Sequence, residues 1–257
     1  MRLALVGAGS FIARQVLQAI QSSFSESIEP FPVPYGADLD QHIAGADVVV
    51  NFALSPVFLA SPYAEQSDAD LKAARAAQRA GARFIMLSTR RVYPSSERWG
   101  AGEGCLALGD ETLYGQNKAA SERFVRDCTN GAAVILRLSN IIGFEYEQSR
   151  PRRTFMAMAL RSLQTVGKIS FDMSPAVRRD FLPVEICAAR IVQAASSKEA
   201  GTFNLGAGFP LACGDVAEAV IRGFGRGDLD VTKSENRDAF YLDTTKWDSM
   251  FPTRFTK

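Results

Sequence analysis

The 257-residue chain contains a single histidine, and this scarcity excludes several kinds of chemistry. A Ser-His-Asp hydrolase or a histidine-ligated metal site needs an imidazole beside other functional groups. His42 stands in a short stretch with a helical pattern, residues 40–44, and is interpreted as a surface side chain. We therefore expect neither a metal site nor histidine-dependent hydrolysis.

Paired cysteines, long apolar runs and an excess of one charge are also missing. The four cysteines lie far apart without a CxxC pair, so we expect free, at least partly buried thiols. No apolar run can span a bilayer and no basic leader opens the chain, which predicts a cytoplasmic protein without membrane contact. With 29 basic and 28 acidic side chains, no nucleic-acid surface is indicated, and a small-molecule partner is expected.

What the chain does have is an alternation of short apolar runs and helical patterns. Strands are predicted at residues 2–6, 47–53, 83–88 and 132–138, and helices at 11–20, 71–80 and 113–128. Continuous runs of Val, Ile and Leu are typical of parallel strands buried on both faces. The pattern predicts an α/β fold with a Rossmann-type doubly wound parallel sheet. Three prolines in residues 28–34 predict a short or irregular second strand.

The first predicted strand runs directly into Gly7-Ala8-Gly9-Ser10 and then into a helix. Glycines there let the backbone approach a pyrophosphate at the helix N-terminus, and a mere connecting turn is the alternative. No acid or arginine clearly follows the second strand, so NAD and NADP stay open. Asp38, a little further on, either contacts the adenine or caps a helix. The predicted cofactor contacts are Gly7, Gly9, Ser10, Phe11, Ile12, Asp38, Leu39, Phe52, Ala53, Ser88, Tyr114 and Lys118.

The pattern changes after residue 143. Residues 146–153 are polar and basic, residues 154–166 have an amphipathic helical pattern, and residues 178–183 follow a turn-rich stretch. We predict a dinucleotide-binding core over residues 1–143 and a small C-terminal substrate-binding lobe over 144–257, interleaved with late sheet elements near 180–206. The basic cluster at residues 150–153 is interpreted either as the rim of an anionic-substrate site or as an exposed loop.

Tyr114 and Lys118 stand at i and i+4 of one predicted helix, hence on one face about one turn apart. A lysine ammonium beside a tyrosine favours the phenolate and makes it a better acid–base catalyst near neutral pH. Thr89 ends a buried strand at the edge where open α/β sheets bind ligands, and its hydroxyl can bind the same carbonyl oxygen. A solvated pair and strand-end capping are the alternatives. Together these residues predict proton transfer at a substrate carbonyl.

In this order the motifs resemble the extended short-chain dehydrogenase/reductases, the NAD-dependent epimerase/dehydratase group of nucleotide-sugar enzymes. The resemblance spans nearly the whole chain and includes residues 47–53, 84–93, 136–143, 179–184, 201–206 and 242–247. It implies catalytic roles for Thr89 and Tyr114, and a further contact of Lys118 with the nicotinamide ribose. It also implies that Asn140 and Arg179 line a sugar-diphosphate site.

Two departures from the family pattern narrow the expected chemistry. The usual TGxxGxxG becomes Gly7-x-x-Ser10-x-x-Ala13, so the phosphate turn is expected to be shaped a little differently. Dehydratases of the family carry Asp-Glu after the catalytic threonine, but Arg90-Arg91 stands here, and dehydration therefore lacks its acid and base. Arg90 is a predicted substrate contact because guanidinium suits phosphate, and one of the two arginines is expected to be solvated.

The leading hypothesis is NAD(P)H-dependent reduction of a 4-keto nucleotide sugar, with Tyr114 as the proton donor. The compact length is similar to that of the family's dTDP-4-dehydrorhamnose reductases. The alternatives are a 4-epimerase with tightly bound NAD and a non-catalytic dinucleotide-binding protein. A nucleotide-diphosphate sugar is the expected partner. A homodimer is a further expectation, since in this family the helix that carries the tyrosine often packs in a dimer interface.

Overall fold

The structure, a computed structural model, describes residues 1–23, 26–143 and 154–251. The strands are β1 (Arg2–Val6), β2 (Glu29–Val33), β3 (Val48–Asn51), β4 (Arg83–Thr89), β5 (Trp99–Ala101), β6 (Val134–Leu138), β7 (Asn140–Ile142), β8 (Lys168–Phe171), β9 (Arg178–Arg179), β10 (Phe181–Pro183), β11 (Gly201–Leu205), β12 (Leu211–Ala212), β13 (Asp228–Val231) and β14 (Tyr241–Leu242). The α-helices are α1 (Phe11–Ser23), α2 (Leu39–His42), α3 (Pro56–Ala60), α4 (Ala69–Arg79), α5 (Leu113–Cys128), α6 (Phe155–Val166), α7 (Val184–Ser196), α8 (Cys213–Phe224) and α9 (Thr245–Met250). The predicted basic cluster at residues 150–153 lies outside the described residues.

The central sheet has the strand order β11-β6-β4-β3-β1-β2, and each neighbouring pair is parallel. The chain passes from β1 outward to β2 and then returns to β3 on the other side of β1, so the winding reverses there. At such a switch point the carboxyl ends of the strands open a crevice that binds ligands. The predicted Rossmann-type doubly wound sheet is confirmed.

Apolar side chains cover both faces of this sheet. Successive strand residues point to opposite faces, so Leu5 packs with α1 and α7 while Ala4 packs with α4. The side of α1 and α7 contains large side chains such as Ile20 and Ile191, and the side of α4 is rich in alanine. Burial of both faces explains why the strand segments read as continuous apolar runs.

The second strand is regular, in contrast to the expectation from its prolines. β2 keeps full parallel register with β1 over five residues. Glu29 N donates to Met1 O and Gly7 N donates to Val33 O, both at 2.9 Å, so the odd-numbered residues of β2 bond to β1. Pro30 and Pro32 lie between them, at positions whose N–H would face the open edge of the sheet. The strand therefore tolerates prolines because it is the edge strand.

Helix caps account for where two of the helices begin. Asp68 accepts hydrogen bonds from Asp70 N and Leu71 N, so α4 begins two residues before its predicted start at residue 71. Thr112 Oγ1 accepts from Gly115 N at 3.1 Å, and α5 spans the predicted residues 113–128. Both caps hold helices that carry site residues.

The second half of the chain contributes to the core around the central sheet and also forms a separate one. β11 pairs with β6 in the central sheet, and α7 packs against α1. α6, α8, β8 and β13 instead surround a separate apolar cluster that includes Leu163, Phe171 and Ala217. The division into a core over 1–143 and a lobe over 144–257 stays a prediction.

The expectations for cysteine and histidine agree with the structure. All four cysteines are free, with Cys187 and Cys213 buried and Cys105 and Cys128 half-buried. His42 is exposed at the end of α2. Across the described ranges, no helix combines the length and apolarity needed to cross a membrane.

Candidate active site

The glycine turn joins β1 to α1 at the carboxyl edge of the central sheet. Gly7 has φ +76°, and a Cβ there would lie 2.9 Å from Ala53 N, so only glycine permits this contact with the segment just after β3. A Cβ on Gly9 would meet nothing within 4 Å. Ser10 Oγ accepts a hydrogen bond from Ala13 N at 3.2 Å and caps α1. The two glycines thus have different roles. Gly7 allows the turn to pack closely against Ala53, whereas Gly9 leaves the space beside the turn open.

A cavity of about 630 Å³ lies over this turn. Its lining consists of Gly7, Ala8, Gly9, Ser10, Pro32, Val33, Pro34, Tyr35, Phe52, Ala53, Leu54 and Pro56. The N-terminus of α1 favours an anion there, and the space beside Gly9 admits a pyrophosphate. The residues therefore fit a dinucleotide. Since none of these lining residues is charged, the cavity has neither an acid to select NAD nor an arginine to select NADP.

Of the predicted cofactor residues, Gly7, Gly9, Ser10, Phe52 and Ala53 line this cavity.

Three others lie elsewhere. Phe11 and Ile12 line the neighbouring cleft described below. Leu39 packs against the core beside α4.

Asp38 and Ser88 are held by hydrogen bonds within the protein. Asp38 Oδ1 accepts from Asp40 N at 3.1 Å, the capping alternative of the sequence. Ser88 Oγ donates to the buried carboxylate of Glu122 at 2.6 Å. Of the two hydroxyls at the end of β4, the one on Ser88 is therefore occupied.

The predicted catalytic residues lie on elements that come together near the carboxyl end of β4. Thr89 is the last residue of that strand, and its Oγ1 accepts from Arg91 N at 3.3 Å. Tyr114 lies half-buried in the first turn of α5, and Lys118 lies buried one turn later. Lys118 Nζ donates to Leu87 O at 2.9 Å, two residues before Thr89.

A glycine in α5 permits this approach. Gly115 lies directly against Arg91 O and the side chain of Asp110, and an added Cβ would collide with both. Tyr114, the residue before Gly115, is therefore carried on a turn of helix that rests on the segment just after Thr89. The structure thus brings Thr89, Tyr114 and Lys118 to one end of the sheet.

Two residues near Lys118 were missed by sequence reasoning. Asp70 in α4 is 2% exposed, and its Oδ2 lies 2.5 Å from Lys118 Nζ. Asn51 Nδ2 donates to Asp70 Oδ1 at 2.7 Å. Burial raises the pKa of Asp70, and the ammonium of Lys118 opposes that rise. Burial alone lowers the pKa of Lys118, but Asp70, together with Tyr114 and Asp68, outweighs burial, so the pKa lies above its ordinary value.

A larger cleft of about 810 Å³ adjoins the N-terminus of α1. Its lining includes all three predicted substrate residues, Arg90, Asn140 and Arg179. Phe155 and Met158 of α6 add an apolar wall. The cleft thus combines cationic and apolar groups, the composition that suits a ligand with both an anionic part and a ring.

Arginines converge on one carboxylate in the wall of this cleft. Arg90 donates to Asp238 Oδ1 and Oδ2 at 2.9 and 2.5 Å, and its guanidinium lies 3.7 Å from the ring centroid of Phe240. Arg98 also donates to Asp238, at 2.8 Å. Burial alone raises the pKa of Asp238, but the hydrogen bonds from Arg90 and the neighbouring arginine charges outweigh it and hold the pKa below its ordinary value. Sequence reasoning missed Asp238, since it follows Arg90 by 148 residues.

Neither arginine after Thr89 is simply solvated. The side chain of Arg90 is 7% exposed, while that of Arg91 is 34% exposed and donates to Asp110 at 2.6 Å. Both therefore serve ion pairs within the protein, and Arg91 is the more accessible to a ligand.

A glycine turn at the switch point of a doubly wound sheet, with a Thr-Tyr-Lys set beside it, defines a dinucleotide-binding α/β oxidoreductase architecture. A sequence model of the NAD dependent epimerase/dehydratase family matches residues 35–206. The chain belongs to this family and is an NAD(P)-dependent enzyme of the short-chain dehydrogenase/reductase type, as the sequence resemblance predicted.

Solved structures share this fold. The UDP-N-acetylglucosamine 4-epimerase of Methanobrevibacter ruminantium M1 has a TM-score of 0.81 at 18% identity, covering 99% of this chain and 92% of that one. The corresponding Bacillus cereus epimerase gives 0.80 at 20%, covering 99% and 94%. A dTDP-4-dehydrorhamnose reductase of Clostridium acetobutylicum gives 0.79 at 17%, covering 100% and 95%. No curated protein sequence matches significantly.

Proposed function

We propose that the protein reduces the 4-keto group of a nucleotide-diphosphate sugar, with NAD or NADP as its cofactor and Tyr114 as the proton donor. The observation that carries the proposal is the position of α5. Lys118 bonds to Leu87 O just before Thr89, and Gly115 rests on Arg91 O just after it. Tyr114, the residue before Gly115, is therefore carried on the turn of α5 that rests on the segment just after Thr89.

Each residue of the set has a defined role in this reaction. The hydroxyl of Thr89 polarises the carbonyl oxygen, and the phenol of Tyr114 delivers a proton to it. The ammonium of Lys118 stabilises the phenolate that remains and holds the nicotinamide ribose. When bound, NAD(P)H supplies the hydride for the carbonyl carbon. Gly7, Gly9 and Ser10 would hold its pyrophosphate, and Phe52 and Ala53 would line its path.

The composition of the cleft supports this substrate class. Arg179 and Arg91 offer guanidinium groups to a diphosphate, and Asn140 offers an amide. Phe155 and Met158 offer an apolar wall to rings. Two of the similar structures are named for a UDP-sugar and one for a dTDP-sugar, which agrees with a nucleotide-diphosphate sugar. The homodimer and the cytoplasmic location stay predictions.

Dehydration is disfavoured by the ion pairs after Thr89. Arg90 is engaged by Asp238 and Arg91 by Asp110, so neither position offers an acid–base group to the sugar. The remaining alternative is a 4-epimerase, which uses the same three residues but keeps NAD bound. It is favoured by the two epimerases among the similar structures.

One experiment tests the catalytic assignment. Purified protein is assayed for NADH and NADPH oxidation on a panel of 4-keto nucleotide sugars, as wild type, Tyr114→Phe and the control Tyr241→Phe on β14. Tyr114→Phe is expected to lower kcat by about 10²- to 10⁴-fold, while Tyr241→Phe keeps the wild-type rate. Unchanged rates for Tyr114→Phe on every sugar that the wild type reduces would refute the proposal.

Mass spectrometry of the purified protein separates the reductase from the epimerase. Stoichiometric NAD retained through purification, together with sugar interconversion without net NAD(P)H oxidation, would identify the epimerase. Rapid exchange of the dinucleotide and one NAD(P)H oxidised for each sugar reduced would identify the reductase.

A further inference from the structure

Lys118 shares its buried position with a second ionisable side chain, Asp70. The two charged groups lie 2.5 Å apart, and neither side chain is more than 5% exposed. Burying an ion pair costs desolvation energy on both sides, so it needs good geometry and further hydrogen bonds. Helix capping does not explain Asp70, because the cap of α4 is Asp68. The carboxylate of Asp70 therefore calls for another role.

The contacts of Lys118 indicate what that role is. An ammonium group has three N–H donors. Lys118 Nζ uses one on Asp70 Oδ2 and one on Leu87 O. With α4 on one side and the end of β4 on the other, the ammonium is fixed by two contacts in different directions. One donor is left for a ligand.

The carboxylate of Asp70 is itself held at its other oxygen. Asn51 Nδ2 donates to Asp70 Oδ1 at 2.7 Å and to Ala53 O at 3.1 Å, while Ala53 N donates to Asn51 Oδ1 at 3.1 Å. Ala53 lines the glycine-turn cavity and is the residue against which Gly7 packs. A continuous set of contacts therefore runs from the glycine turn through Asn51 and Asp70 to Lys118.

We propose that Asp70 is a positioning residue for Lys118, which fixes the ammonium at the end of β4 and directs its remaining donor toward the nicotinamide end of the bound dinucleotide. This rests on the proposed function, in which Lys118 holds the nicotinamide ribose. Asp70 touches neither cofactor nor substrate in this arrangement. The part of its effect that passes through Lys118 is what a double-mutant cycle isolates, and this makes the proposal testable.

The test is a double-mutant cycle on dinucleotide binding. Asp70→Asn, Lys118→Met and the double variant are titrated in the full chain with NADH and NADPH, and binding is followed by cofactor fluorescence. Asp70→Asn is expected to weaken binding about tenfold when Lys118 is present and less than about twofold in the Lys118→Met background. An equal loss in both backgrounds, no loss, or tighter binding overturns the proposal.

Asp68→Asn is the matched control. Asp68 is a buried carboxylate two residues earlier that accepts from Asp70 N and from Tyr63 OH, and an asparagine oxygen can still cap the helix. Its effect on binding is expected to stay below about twofold. A tenfold loss here as well would show that any buried carboxylate in this region matters, and would overturn the proposal.

A pH profile gives a second readout once a reducible sugar is known. The titratable or charged groups facing Lys118 are Asp70 and Asp68 of the α4 region and Tyr114 of α5. Burial alone lowers the pKa of Lys118 and the carboxylate of Asp70 raises it, so Asp70→Asn should move the alkaline limb of kcat/KM to lower pH. If the alkaline limb of the kcat/KM profile does not move in Asp70→Asn, the proposal is contradicted.

The proposed function and the proposed role of Asp70 can be refuted independently of each other. The binding cycle needs no sugar, so a protein that reduces none of the sugars refutes the proposed function, while the cycle still tests the role of Asp70. If Asp70→Asn does not fold, judged by circular dichroism, Asn51→Ala takes its place in the cycle. It frees Asp70 Oδ1 and keeps both charges. A loss that is smaller in the Lys118→Met background supports the proposal, and an equal loss overturns it.

Discussion

Glu122 and Arg137 form a two-point ion pair inside the protein. Arg137 Nε and Nη2 lie 3.0 and 2.8 Å from the two carboxylate oxygens of Glu122, and both side chains are at most 2% exposed. Glu122 lies one helical turn after Lys118 on α5 and also accepts the hydroxyl of Ser88 on β4. The pair therefore ties α5 to β6 and β4, the two strands beneath it.

Breaking this pair should destabilise the fold. Glu122→Gln leaves the buried guanidinium of Arg137 without its counter-charge, so urea unfolding should show a loss of about 3–5 kcal/mol. Arg126→Gln is the control, because Arg126 contacts the same carboxylate from a side chain that is 40% exposed. Its cost should stay below about 1 kcal/mol. Equal losses for the two variants would contradict the structural role assigned to the buried pair.

The two glycines of the turn should respond differently to alanine. Gly7→Ala should lower the midpoint of thermal unfolding, because the backbone has φ +76° and the Cβ would meet Ala53 N at 2.9 Å. Gly9→Ala should leave the midpoint nearly unchanged, since its Cβ points into open space, yet weaken NADH binding at least about tenfold. Wild-type affinity in a folded Gly9→Ala protein would show that the pyrophosphate does not approach this turn.

Arg179 should set the affinity for the diphosphate. Arg179→Gln should raise the KM for the nucleotide sugar about tenfold or more, because a charge-assisted contact is lost, with a smaller change in kcat. The neighbouring Arg178 is exposed and does not line the cleft, so Arg178→Gln is the matched control and should leave KM unchanged. A similar rise in KM for both variants would indicate a general charge effect instead of a specific contact.

Asp238 should make the free energy of unfolding depend on pH. Its folded-state pKa lies below the ordinary value, so its contribution is fully present above about pH 4–5 and is lost as the pH falls through the folded-state pKa. The difference in unfolding free energy between wild type and Asp238→Asn should therefore be constant near neutral pH and shrink toward pH 3. Urea unfolding at several pH values measures it.

Asp172→Asn is the control for that series. Asp172 is 74% exposed and pairs with Arg237 at 3.4 Å, so its substitution should cost less than about 1 kcal/mol throughout. A gap between wild type and Asp238→Asn that widens as the pH falls would contradict the prediction.

Local sequence patterns were enough to predict much of the fold and the centre of the site. β1 and α5 have the predicted bounds, because an apolar run that meets glycines and a helix opened by a threonine cap are both local signals. Tyr114 and Lys118 could be paired from the sequence because i and i+4 neighbours share a helix face whatever the rest of the chain does.

The partners of these residues could not be predicted in this way. Asp70 precedes Lys118 by 48 residues and stands in the first turn of α4, where an acid is expected simply to favour the helix dipole. Its burial depends on how closely the alanine-rich α4 packs on the sheet, which no local pattern gives. The same applies to Asp238, which contacts Arg90 through tertiary structure across 148 residues of sequence.

The prolines of β2 have a consequence beyond their own strand. Hydrogen bonding to β1 uses the odd-numbered residues, so Pro30 and Pro32 present ring carbons along the outer margin of the sheet where a further strand would need donors. The missing donors disfavour continuation of the ladder by an extended segment of another molecule at that margin. The prolines thus disfavour aggregation through this edge of the sheet, and contacts between copies on this side are expected to use helices or loops.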